Sequence, residues 1–121
     1  MITIPPSGIV RTIPTLCQKG ASRSAYERSL ALLRAGRIEA VRFALNNKPK
    51  HEVLHLYILS AGRIIIRFTL VGFDQGEALK CWDGKTRNPG CWAICVDPSD
   101  PPREILMRGF RGYRYVTEPL W

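Results

Sequence analysis

Two apolar runs joined at Ala61-Gly62 constrain this chain more than any other feature. Before the joint, Leu54, Leu56 and Ile58 alternate with His55, Tyr57 and Leu59. After it, Ile64, Ile66, Phe68 and Leu70 alternate with Ile65, Arg67 and Thr69. Successive side chains on a strand point to opposite faces, so a period of two with β-branched and aromatic enrichment predicts two strands. Gly62 suits the positive φ of a tight turn, and the whole of 51–71 is expected to form a central hairpin. A two-residue loop, Ala61-Gly62, would set Tyr57 opposite Ile66 and leave Leu54, Leu56 and Ile58 beside Arg67. A three-residue loop, Ser60-Ala61-Gly62, sets those three against Phe68, Ile66 and Ile64. Only the second gathers six apolar residues on one face, and a one-residue slip turns every side chain over, so burial favours it. His55, Tyr57, Arg63 and Arg67 then form the hairpin's other row, facing solvent or covered by a helix.

The flanking sequence supplies the remaining elements. Residues 1–20 are irregular, broken by Pro5, Pro6, Gly8, Pro14 and Gly20, with Ile9 to Ile13 an edge strand at most. Ser24 and Glu27 have the spacing of a capping box, predicting a helix from Ala25 with Tyr26, Leu30 and Leu33 on one face and Gly36 as its left-handed cap. Arg37 to Leu45 is read as a second helix with Ile38, Val41 and Leu45 on one side, the alternative being a strand with Val41, Phe43 and Leu45 in register. Pro49 ends whatever precedes it. Strands are expected at 78–82 and 91–96, paired across the turn-rich 83–90, and at 104–116, interrupted at Gly109 and Gly112. The expected architecture is α+β in one domain, 1–121: one or two N-terminal helices packed on a four- to five-stranded, mainly antiparallel sheet.

Composition narrows the function. With 121 residues the chain is long enough for one core without staples, and no apolar run is long enough to span a membrane. Residues 1–10 lack the apolar core of a signal peptide, so a cytoplasmic location is expected. Without such a signal, Cys17, Cys81, Cys91 and Cys95 read as reduced, packed thiols, and their spacing forms no paired Cys-x-x-Cys site. The net charge is +8. Nine Lys or Arg against Glu27 and Glu39 place most of the surplus in residues 1–50, as in proteins that meet a polyanion.

Three stretches carry candidate chemistry. The row of His55, Tyr57, Arg63 and Arg67 offers donors and a ring for phosphates and planar groups. The run Arg108, Gly109, Phe110, Arg111, Gly112, Tyr113, Arg114, Tyr115 alternates cations with aromatics, a pattern that suits phosphate contact and base stacking, or else an edge strand guarded by charge. His51-Glu52-Val53-Leu54-His55 resembles the zincin motif, in which a helix brings two imidazoles to one metal while the glutamate activates the bound water. Pro49 and the following strand pattern oppose a helix, so no metal or cofactor is expected. No glycine-rich phosphate loop and no nucleophile elbow is visible.

These features lead to the expectation of a small basic binding protein for nucleic acid or an acidic protein surface, with no evident catalytic machinery. The alternatives are a ribonuclease similar in size, charge and element order to bacterial toxins, a zinc hydrolase using HEVLH, and a protein that docks on a partner, as phage and mobile-element accessory proteins do. A homo-oligomer through the sheet edge is a further option.

Overall fold

The computed structural model describes residues 7–12, 21–45, 47–75, 79–80, 86–87, 90–110 and 112–121. Its elements are β1 (Gly8–Thr12), α1 (Ala21–Arg34), β2 (Val41–Leu45), β3 (His55–Ser60), β4 (Arg63–Gln75), β5 (Leu79–Lys80), β6 (Thr86–Arg87), β7 (Cys91–Ser99) and β8 (Tyr113–Val116). Six strands form one sheet in the order β2-β7-β4-β3-β1-β8, while β5 and β6 pair separately. All neighbours in the large sheet are antiparallel except β1 and β3. The expected α+β arrangement is thereby corrected: the described residues are mostly strand with a single helix, and the sheet is six-stranded and mixed.

Phe43 explains the loss of the second helix. As a strand, Val41–Leu45 buries Val41, Phe43 and Leu45 together, with Phe43 between Tyr26 and Phe68 at centroid separations of 6.1 and 5.4 Å. A helix would have turned Phe43 away from Ile38, Val41 and Leu45. The first helix starts earlier than expected, at Ala21, which places Ser24 and Glu27 inside it rather than at its entrance. Its other end follows the sequence: Gly36 has φ 70, its N–H donates to the Leu33 carbonyl at 3.1 Å, and the Arg37 N–H donates to Leu32 at 2.9 Å. These two bonds are the paired closure of a Schellman cap. Tyr26 is buried, and Leu30 and Leu33 pack against the same core.

The central hairpin forms with the two-residue turn and starts in that loop's register, but beyond its first two pairs it follows neither of the two expected registers. Ala61 and Gly62 make a two-residue turn with φ 53 and 76, so Ser60 pairs with Arg63 and Leu59 with Ile64. Positive φ at both central positions matches the twist of the flanking strands. A bulge then shifts the ladder, and Ile58 pairs with Ile66, Tyr57 with Arg67 and Leu56 with Phe68. The extra residue gathers Leu56, Ile58, Ile66 and Phe68 on one face without lengthening the turn, and turns Ile64 to the opposite face beside Leu59. Leu54 lies outside the strand and is 68% exposed.

Both faces of the sheet are covered. One carries the larger core, with α1 against it; the other buries Val10, Tyr57, Leu59 and Ile64 beneath Ile105, Met107, Phe110, Leu120 and Trp121. β1 is therefore an interior strand, with Ile9 and Val10 both fully buried, rather than an edge. β7 runs on to Ser99 and pairs with β2 and β4, not back across 83–90. The register shifts along β4 bend the sheet until it curls on itself. Arg11 on β1 donates from Nε to the Ala44 carbonyl on β2 at 2.9 Å, although three strands separate β1 from β2 in the sheet order.

Candidate functional site

The row of His55, Tyr57, Arg63 and Arg67 is not an outward surface. Tyr57 is 0% exposed, and its hydroxyl accepts the Leu120 N–H at 3.0 Å while its ring meets Trp121 edge-on at 5.3 Å. Arg67 donates to the main-chain oxygen of Trp121 and lies 5.3 Å from the centre of its indole, whose Nε1 donates to Ser99 Oγ at 3.0 Å. His55 is half-buried, with its ring 6.2 Å from that of Tyr57. Its buried Nδ1 has no hydrogen-bond partner among the described residues. Burial, and then the Arg67 charge, hold its pKa below 6.5, against a weaker opposing hydrogen bond at the Phe68 backbone. Arg63 alone is exposed, 3.8 Å from Glu104.

The second candidate run divides between faces. Tyr113 pairs with Arg11 and Tyr115 with Ile9, on the side of the larger core; Arg114 pairs with Val10 on the other side, its guanidinium 4.6 Å from the Phe110 ring. Arg108 is exposed, and Arg111 lies outside the described residues. Cys91 and Cys95 are buried thiols whose pKa values burial pushes up, consistent with packing; Cys17 and Cys81 lie outside the described residues.

A different cluster emerges where the curled sheet brings β8 beside the segment that follows β2. The Tyr113 hydroxyl donates to Asn47 Oδ1 at 2.7 Å, and the Lys50 N–H donates to the Tyr115 hydroxyl at 2.9 Å. Side chains and a turn, rather than a strand ladder, thus join the two sheet edges into a seam. Along it, His51 meets Tyr115 edge-on at 5.2 Å, and Tyr115 meets Tyr113 edge-on at 5.8 Å. Lys48 Nζ lies 6.0 Å from the centre of the Phe73 ring. Lys48, Lys50 and His51 are exposed, while Phe73, Tyr113 and Tyr115 are half-buried. Burial and the hydrogen bond with Tyr115 raise the Tyr113 pKa, which keeps the phenol neutral. Of the acids near the seam, Asp74 is paired with Arg42 at 3.1 Å, and Glu52 is exposed beside His51.

The HEVLH stretch takes part in this seam rather than in a helix. His51 and Glu52 precede β3 and are exposed, and the two histidines contact different partners, Tyr115 and Tyr57. The helical spacing on which a zincin site depends is absent. Among the described residues, no group of three His, Cys, Asp or Glu side chains is placed to hold a metal.

Sequence reasoning singled out Tyr113 and Tyr115 but missed Lys48, Lys50 and Phe73 beside them, because these residues join only through the curl. The local signals were that aromatic run and the basic pair flanking Pro49. No helix among the described residues is long and apolar enough to cross a membrane. No protein-family model, curated protein or solved structure matches the chain.

Proposed function

We propose that the protein binds nucleic acid through the seam between β8 and residues 47–51. The observation that carries this reading is the placement of exposed Lys48 over the Phe73 ring and of exposed His51 against the Tyr115 ring, with Lys50, also exposed, tied through its backbone N–H to the Tyr115 hydroxyl. Ammonium groups attract phosphates without regard to sequence, and aromatic rings beside them contact bases or sugars. The net charge of +8 adds a long-range attraction that raises the encounter rate at low salt. The reading assigns binding and no bond-breaking step.

Fluorescence anisotropy with labelled oligonucleotides over a salt series tests it. Affinity is expected to fall linearly on logarithmic axes as salt rises, with a shallower slope for the Lys48→Gln/Lys50→Gln double variant, which removes two phosphate contacts. Absence of binding at low ionic strength refutes the reading.

A further inference from the structure

We propose that residues 117–121 are a strap that lifts from the sheet face burying Val10, Tyr57, Leu59 and Ile64 when His55 takes up a proton. The strap follows β8 and belongs to no strand. Side chains hold it instead. Arg67 donates to the Trp121 main-chain oxygen, the Tyr57 hydroxyl accepts the Leu120 N–H, the Trp121 indole N–H donates to Ser99 Oγ, and Arg103 reaches the Leu120 carbonyl at 3.4 Å. Residues 117–119 are exposed, so Leu120 and Trp121 carry the attachment. A segment fixed by so few bonds opens at a lower cost than a strand within a ladder.

The two residues that grip the strap most closely are also the two that bear on His55. Tyr57 follows it by two residues on the same face of β3, with ring centres 6.2 Å apart, and Arg67 lies opposite Tyr57 on β4. From β1 only Gly8 approaches, and Glu118 on the strap is exposed. Among the described residues no carboxylate pairs with His55. Both nitrogens of a charged imidazole carry a proton, yet Nδ1 is buried without a hydrogen-bond partner. Protonation therefore leaves a buried donor unsatisfied next to the Arg67 guanidinium. Lifting the strap relieves both costs, because water reaches the ring and Arg67, free of Trp121, can turn away. The closed form resists the proton and the open form accepts it near the ordinary 6.5, so falling pH favours opening below that value. One proton shifts the balance by at most about tenfold per pH unit. Opening uncovers the Tyr57 hydroxyl and the Arg67 guanidinium, both now spent on the strap.

NMR of ¹⁵N-labelled full chain from pH 7.5 to 5 tests the switch, in a range above the value of about 4 at which carboxylates ordinarily titrate. The Leu120 amide and the Trp121 indole N–H are expected to shift, and the backbone order parameters of both residues to fall from about 0.85 toward 0.6 or below. The midpoint is expected to coincide with that of the His55 ring, followed on the same sample, while β3 and β4 keep their amide shifts. His51, the other histidine of the chain, is the reference ring. His55→Gln, uncharged throughout, is expected to keep the strap closed at pH 5; if that variant does not fold, the coincidence of midpoints in wild type decides. A strap unmoved at pH 5, a midpoint away from that of His55, equal movement in His55→Gln, or loss of the β3 and β4 shifts together with the strap overturns the inference.

Discussion

Arg67 grips Trp121 twice, by a hydrogen bond to its main-chain oxygen and by a guanidinium 5.3 Å from the centre of its indole. A residue that reads from sequence as a phosphate ligand is instead a clamp that holds the covering segment against the second face of the sheet. Tyr57 and Ser99 complete the clamp from β3 and β7. The binding surface proposed above is correspondingly elsewhere, at the seam.

The two arginines of the hairpin are therefore expected to separate in stability. Arg67→Ala removes a charge-assisted hydrogen bond and a cation–π contact and is expected to lower unfolding free energy by about 1–3 kcal/mol. Arg63→Ala breaks only an exposed pair at 3.8 Å and is expected to change it by less than about 0.5 kcal/mol. Urea denaturation of both variants checks the difference, and equal effects contradict the clamp.

Gly8 lies where β1 passes β3 at close range. A Cβ added there would sit 2.8 Å from the His55 carbonyl oxygen and 3.1 Å from the Tyr57 ring. Both neighbours are fixed, one by the strand ladder and the other by its contacts with Leu120 and Trp121. Gly8→Ala is expected to destabilise by about 1–3 kcal/mol through forced displacement. Thermal unfolding against wild type measures it.

His55 makes stability depend on pH in a stated direction. Its folded-state pKa is held below its ordinary 6.5, so the unfolded chain binds the proton more readily. Stability is then greatest above pH 6.5, declines as pH falls through 6.5 toward the folded-state value, and levels off below it. The cause is a half-buried imidazole with an unpartnered Nδ1 beside the Arg67 charge. Chemical denaturation between pH 7.5 and 5 is expected to show this decline in wild type and a flatter profile in His55→Gln. Parallel profiles contradict the assignment.

Local features were legible in the sequence, and relations between distant segments were not. Leu30, Leu33 and Gly36 marked the inner face and end of α1, and the Ala61-Gly62 joint marked the hairpin. The hairpin register escaped because a bulge met the demand for apolar alignment that a longer turn was expected to meet; strand periodicity cannot distinguish the two. Phe43 carried the information that decides 41–45, yet its value depends on Tyr26 and Phe68, which only the fold brings near. Tyr57 and Arg67 misled for the same reason. Their polar groups suit a ligand and suit Leu120 and Trp121 equally well, and the covering segment lies more than fifty residues away along the chain.

The seam is tested most directly by an NMR titration of ¹⁵N-labelled protein with a single-stranded oligonucleotide, following backbone amide shifts. The largest changes are expected at residues 47–51 and 113–115, with Leu120 and Trp121 staying on Tyr57 and Arg67. Changes centred on His55, Arg63 and Arg67, or shifts spread evenly over the basic surface, contradict the account.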